Sequence, residues 1–105
     1  MIGQRATANI QSVALGSVAK AENNAVAIGH QANAAIGAAS IGSWAEANGL
    51  NSIALGTNAE AQKEATIAIG SQSNASADRS TAIGVLSTAS GNSSIALGEL
   101  SNAMG

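Results

Sequence analysis

The sequence predicts an all-β fold in which the chain winds into a parallel β-solenoid, with two short strands in each coil. Three observations support this. A glycine recurs at a spacing of thirteen and then of fourteen positions, apolar and small residues alternate before it, and a second alternation follows it. A repeat of this regularity is typical of stacked architectures. The repeated glycines are Gly3, Gly16, Gly29, Gly42, Gly56, Gly70, Gly84 and Gly98.

The first strand of each coil precedes the glycine. Large aliphatic residues stand one and three positions before it in most copies, with a small residue between them. Alternation of period two with many β-branched residues is typical of a strand. We expect the large residues to point inward and form the core. That predicted core comprises Val13, Leu15, Val26, Ile28, Ile41, Ile53, Leu55, Ile67, Ile69, Ile83, Ile95 and Leu97.

The small residues between them form a column without charge in any copy. A strand that lacks a charged face is usually buried on both faces. We therefore expect this column to pack against an identical chain, so that the protein is an oligomer. The residues alone leave dimer and trimer open. The predicted subunit-facing column comprises Ala14, Ala27, Ser40, Ala54, Ala68, Ala82 and Ala96.

The second strand follows the glycine. Alanine stands five residues after the glycine in every copy, and the column before it is polar or charged, as at Lys20, Glu46 and Glu60. We expect the alanines to point inward and the polar column to face solvent. Stacking at about 4.8 Å per coil gives seven coils a length of roughly 33 Å. The difference between the shorter and the longer coils is expected in the turn that returns to the first strand.

A helical interpretation of this alanine-rich chain is disfavoured. The repeated glycine would cost a helix about 1 kcal/mol per copy. The apolar residues also recur with a period of two, which is the period of a strand and not that of a helix.

The amino-acid composition favours an oligomer and argues against nucleic-acid and membrane partners. Hydrophobic residues make up 46% of the 105 residues, but Phe and Tyr are absent and Trp44 is the only aromatic of that group. A monomer with so little large apolar surface is marginal, which favours stacking or oligomerisation. Charged residues are 10% and the net charge is −2, so we expect no nucleic-acid partner. No apolar run approaches the roughly 18 residues of a membrane-spanning helix, and we expect no membrane contact.

The residues that could support catalysis are few. His30 is the only histidine, and the serines occupy repeated columns, so the constellation of groups that an enzyme needs is missing. We predict no catalytic residue, metal site or cofactor. His30 is interpreted as a solvated turn residue, with a pH-sensing or metal role as the alternative. Trp44 is interpreted as packed over a turn or at a subunit boundary, with a binding hot spot as the alternative.

The repeat resembles the head repeats of YadA-like trimeric autotransporter adhesins over essentially the whole chain. The resemblance rests on the stretches 51–56 (NSIALG) and 24–29 (NAVAIG), and on Gly84, Ser87, Ala89 and Gly91 in one coil. It implies a left-handed β-roll, a homotrimer, a location on the bacterial outer-membrane surface, and adhesion to matrix proteins such as collagen, fibronectin and laminin. Residues 1–105 are then expected to be one head segment of about seven coils within a longer protein. The candidate ligand-binding residues are Asn24, Asn51, Ser52, Trp44, Glu46 and Glu60.

The sequence also departs from the family pattern. The family's first Asn is replaced in several copies, and its last glycine is kept only as Gly49, Gly91 and Gly105. The same repeats occur in bacteriophage fibres, so the alternative function is a structural spacer in an adhesin or a phage tail fibre. From the face assignment we expect Ala54→Glu to disrupt assembly and Ile69→Asp to destabilise the roll. The replaced asparagines are at Gln11, Gly37, Ala65, Arg79 and Ser93.

Overall fold

A computed structural model of the protein describes residues 2–104 as a slim rod of short strands, 38 × 20 × 12 Å in extent. The long dimension agrees with the length expected for seven stacked coils. Gly105 lies outside the described residues. The strands are β1 (Thr7–Ala8), β2 (Val13–Leu15), β3 (Lys20–Ala21), β4 (Val26–Ile28), β5 (Asn33–Ala34), β6 (Ala39–Ile41), β7 (Glu46–Ala47), β8 (Ile53–Leu55), β9 (Glu60–Ala61), β10 (Ile67–Ile69), β11 (Asn74–Ala75), β12 (Thr81–Ile83), β13 (Thr88–Ala89), β14 (Ile95–Leu97) and β15 (Asn102–Ala103).

The strands form two parallel sheets that run along the rod. The odd-numbered strands make an eight-stranded sheet, here called the outer sheet, and the even-numbered strands make a seven-stranded sheet, here called the inner sheet. Each strand pairs with its counterpart one coil away, so that Ala54 lies between Ser40 and Ala68 in the ladder. The predicted solenoid of two strands per coil is confirmed.

The shorter and longer coils differ only in the return turn, as predicted. Four residues separate Ala34 from Ala39, whereas five separate Ala47 from Ile53. The parallel registers continue across this change, because Ala34 pairs with Ala47 and Ala39 pairs with Ile53. The extra residue therefore bulges from one corner without disturbing either sheet.

Only small side chains occupy the interior of the rod. The largest fully buried side chains are Thr66 and five serines, and the rest of the core is alanine. The buried hydroxyls are hydrogen-bonded, since Ser52 Oγ donates to Gly49 O and Thr66 Oγ1 donates to Lys63 O, both at 2.7 Å. Each thus satisfies a turn carbonyl as well as itself, as buried polar groups must.

The face assignment predicted for the inner sheet is wrong. Ala54 is 0% exposed in the single chain, as is most of its column, so these side chains fill their own coil and cannot contact another subunit. The neighbouring large residues must then point outward, because side chains alternate along a strand. Ile41, for example, is 39% exposed. The residues wrongly predicted as core are Val13, Leu15, Val26, Ile28, Ile41, Ile53, Leu55, Ile67, Ile69, Ile83, Ile95 and Leu97; those wrongly predicted as subunit-facing are Ala14, Ala27, Ser40, Ala54, Ala68, Ala82 and Ala96.

The physical reason is the short circumference of the coil. Facing sheets filled by large side chains pack about 10 Å apart, but a closed turn with so few residues brings the two strands too close for that. The usual tendency of Ile, Leu and Val to be buried is overridden by this lack of space. An uncharged flank does exist, as predicted, but it is the large aliphatic face of the inner sheet, here called the aliphatic face.

Each coil turns two corners through residues with positive φ. At one corner Ala19 N donates to Gly16 O at 3.2 Å, and Val18 between them has φ 62°. Positive φ at this third position is the requirement of a type II turn. The other corner places Asn24 and Asn51 at φ 59°. The motif's Asn is therefore a conformational residue, since Asn tolerates this region better than most residues.

The repeated glycine is required by close contact between coils. Gly56 has φ 126°, and a Cβ built on it would lie 2.7 Å from the carbonyl carbon of Gly70 in the next coil. No side chain fits in that gap. The glycines therefore stack as a ladder that permits the narrow spacing of the corner.

We expect Ala65→Asn to stabilise the protein. Ala65 has φ 58° and is exposed at the corner where Asn51 stands in the preceding coil. Asn lowers the cost of a left-handed residue, which for alanine is about 1 kcal/mol. Thermal unfolding should show a higher Tm for this variant than for Glu64→Asn, its exposed neighbour without positive φ. An equal Tm for both variants would contradict the argument.

Candidate binding groove

A groove of about 280 Å³ crosses three coils where the outer-sheet strands β3, β5 and β7 begin. Two columns of side chains line it. Val18, Gln31 and Trp44 come from the type II turn corner, and Lys20, Asn33 and Glu46 come from β3, β5 and β7. The middle coil contributes the shorter or more buried side chains, and this produces the depression. These six residues, with the buried Ala32 that also lines the depression, are called the Trp44 groove.

Trp44 is the most prominent side chain of the groove. It is 51% exposed and its backbone N donates to His30 O at 2.9 Å. The ring of His30 lies edge-on to the indole, with centroids 5.6 Å apart and planes at 79°. His30 is an exposed turn residue, as predicted. The indole therefore has one aromatic neighbour in a favourable edge-to-face geometry.

Charged groups stand at both ends of the strand column. Lys20 Nζ lies 3.7 Å from Glu22 Oε2, with the Lys20 side chain 58% exposed. Glu46 pairs in register with Glu60 on the neighbouring strand. Burial raises the pKa of Glu46, and the hydrogen bond and negative charge of Glu60 raise it further. Ionisation of Glu46 is therefore disfavoured beside Glu60.

The raised pKa of Glu46 predicts a pH dependence of stability. Because the folded state binds the proton more tightly than the unfolded chain, this contribution is present below the ordinary value of 4.5 and is lost as pH rises through the higher pKa of the folded state. Glu46→Gln should therefore raise Tm at neutral pH and reduce the difference between neutral and acid conditions. Thermal unfolding across pH checks this, with Glu99→Gln as an exposed control. Identical pH profiles for Glu46→Gln and the unaltered protein would contradict it.

A polar atom in the groove lacks a protein partner. Gln31 Oε1 is buried and accepts no hydrogen bond from the described residues. An unpaired buried acceptor costs about 1–3 kcal/mol unless water or a ligand satisfies it. This oxygen is enclosed by its neighbours, so only the other polar groups of the groove face solvent.

The structure brings together only part of the predicted site. Trp44 and Glu46 line the groove, and Glu60 adjoins Glu46 outside it. Asn24 and Asn51 lie at the opposite corner of the coil, in the turns that follow β3 and β7. The prediction that Ser52 contacts a ligand is wrong, because its side chain is 0% exposed.

Apart from the buried Ala32, sequence reasoning missed four groove residues: Val18, Lys20, Gln31 and Asn33. A signal for them was present, because they occupy the same two columns as Trp44 and Glu46 in the two preceding coils. Residues in one column of a solenoid are neighbours at about 4.8 Å. Reading those columns beside Trp44 would have identified all four.

No three His, Cys, Asp or Glu side chains within residues 2–104 are grouped so that they could hold a metal ion. No helix in the same range is long and apolar enough to cross a membrane.

Comparison with known families identifies the repeat. The YadA head domain repeat matches residues 22–36, 35–59, 61–87 and 78–101, which is most of the chain. No curated protein matches the sequence. The matched segments contain most of the glycine ladder, strands of both sheets and the groove residues Gln31, Asn33, Trp44 and Glu46. With its solenoid of small-residue coils and its repeats in register, the chain belongs to the YadA head domain repeat family.

Proposed function

We propose that this chain is an adhesive head segment of a homotrimeric bacterial surface protein, which attaches the cell to host matrix proteins such as collagen or fibronectin. The observation that carries the proposal is the family match over most of the chain. The full-length parent would hold this segment at the outer-membrane surface. An enzymatic role finds no support, because the charged side chains lie in solvated columns without the arrangement that catalysis needs.

The aliphatic face supports self-association. It presents two parallel columns of mostly Ile, Leu and Val, without any charged residue, along the length of the rod. Continuous exposed apolar surface of this kind is typical of an interface. A second copy is the occupant that matches it, because an identical rod offers the same length and the same repeat spacing. Three such faces meeting on an axis would bury all of them and leave the polar outer sheets exposed.

The adhesive function is tested with the purified protein after its mass in solution has been measured by sedimentation. We expect a trimer that binds immobilised collagen or fibronectin saturably. Bovine serum albumin on the same surface is the control. A confirmed trimer that binds neither matrix protein would overturn the proposal for this segment.

A structural spacer is the second candidate, either in an adhesin or in a phage tail fibre. It is favoured by the unbroken ladder, in which every coil adds one strand to each sheet in constant register. Such a rod sets length and stiffness whatever its outer residues are. Failure of the binding assay with an intact trimer would favour this candidate.

A further inference from the structure

We propose that the Trp44 groove binds a single neutral hexopyranose ring of a glycan. The inference deepens the proposed adhesive function and rests on it, since recognition of a glycan is one way for a head segment to attach. The shape of the groove, its aromatic wall and the signs of its charges all bear on the choice of ligand.

The shape fits one sugar ring. The groove is a shallow depression open to solvent with a volume of about 280 Å³, just below the roughly 300–1,000 Å³ of pockets that hold drug-sized ligands. It is bounded along the rod by Val18 and Lys20 at one end and by Trp44 and Glu46 at the other. These ends are two coils apart, or roughly 10 Å on the backbone, so a longer ligand could enter only by one residue.

The Trp44 ring already faces the groove in the free protein. Trp44 is half-exposed, and its ring makes an edge contact with His30. A rigid aromatic ring provides a large contact area at little entropic cost. The C–H face of a pyranose is flat and apolar, and it is the part of a sugar that suits such a surface.

The polar groups favour a neutral ligand with many hydroxyls. Lys20 and Glu46 carry opposite charges at opposite ends, so a cation attracted by one is repelled by the other, and an anion likewise. Asn33 lies between them and both donates and accepts. Gln31 is half-buried between them and its enclosed Oε1 is not offered to the ligand. Hydroxyl groups both donate and accept, so they can pair with an ammonium, an amide and a carboxylate alike.

Lys20 keeps donors available for this role. Its contact with Glu22 is 3.7 Å long and mostly exposed, and such pairs are weak. An ammonium has three donors, so the pair leaves hydrogens free to point to the groove. Lys20 can therefore donate hydrogen bonds to a ligand in the groove while it remains paired with Glu22.

The chain provides its own reporter for the test. Trp44 is the only tryptophan and tyrosine is absent, so the intrinsic fluorescence of the protein reports this groove. The intact protein is titrated with methyl glycosides of galactose, glucose, mannose and N-acetylglucosamine, up to about 50 mM, because a ligand with few contacts binds with a Kd in the millimolar range. We expect at least one glycoside to shift the emission to the blue and to saturate.

Matched variants separate the groove from the rest of the rod. Asn33→Ala should weaken binding about tenfold, which is the scale of one lost polar contact. Asn74 lies on β11 at the position equivalent to Asn33, but far from Trp44. Asn74→Ala should therefore leave binding unchanged. Equal effects of the two variants would overturn the inference. So would saturation by methylguanidine in place of every glycoside, since that would identify a cation site.

A second measurement distinguishes this inference from the adhesive function itself. Immobilised matrix proteins are compared before and after enzymatic removal of their glycans, using the unaltered protein and Asn33→Ala. Loss of binding on deglycosylation, matched by loss in Asn33→Ala, would support the inference. Undiminished binding in both cases would leave the adhesive function standing and overturn the glycan site. Saturable binding of free glycosides without binding of matrix proteins would support the site and refute the matrix ligand.

Discussion

Ala54→Glu should unfold the coil that contains it, and not merely separate subunits. Ala54 is 0% exposed between Ser40 and Ala68 in an interior that holds nothing larger than threonine. A glutamate there adds volume to a full core and buries an unpaired charge, which together cost about 4 kcal/mol or more. Circular dichroism should show loss of strand signal or a steep fall in Tm. The damage should be centred on the neighbouring coils, because repeats in a solenoid contact only their neighbours.

Thr88→Glu is the matched control for this variant. Thr88 lies on the outward column of the outer sheet, between Asn74 and Asn102 in the ladder. The same new charge in a solvated column should change the free energy of unfolding by less than about 0.5 kcal/mol. If Ala54→Glu kept the Tm of the unaltered protein and changed only its mass, the inward placement of the small column would be refuted.

Ile69→Asp should separate the subunits and leave the coils intact. Ile69 lies on the aliphatic face, paired in register with Leu55 and Ile83, and its side chain is only half-buried in the single chain. In the proposed assembly a carboxylate from every subunit would be buried close to the others. That desolvation and repulsion should weaken self-association at least about a hundredfold. Sedimentation should therefore detect a monomer that keeps its strand signal at low temperature.

Ile69→Val is the conservative control and should remain assembled. It keeps an aliphatic side chain at the same position and removes one methylene, which costs about 0.5–1.5 kcal/mol in a packed site. If the Ile69→Asp and Ile69→Val proteins had the same mass by sedimentation and the same Tm, a subunit contact at the aliphatic face would be contradicted. The interface would then have to be sought on another surface.

These two expectations reverse those that the sequence suggested, and the reason lies in what a repeat pattern contains. Alternation shows that Ile53 and Leu55 share one face and that Ala54 belongs to the other. It does not show which face is inside, because both assignments have the same period. Large aliphatic residues still become buried in the proposed assembly, but they are buried between chains and not within the coil.

The outer sheet was assigned correctly because charge broke the ambiguity. Lys20, Glu46 and Glu60 stand in one column and alanine stands in the other, so only one assignment keeps the charges in solvent. The inner sheet had no charged residue in either column. Trp44 and Glu46 lie in columns that face outward, and their role in binding stays a prediction. Ser52 was misplaced together with the face to which it belongs.

The sequence by itself determined the solenoid, the two strands per coil, the register and the position of the extra residue in the longer coils. All of these follow from spacing, because parallel pairing between repeats aligns equal positions. Only the tertiary structure decided which columns point inward, why Asn begins the motif, and which side chains join Trp44 in a groove. Those features depend on the width of a closed coil and on the φ of its corners, and no pattern of residue types states either.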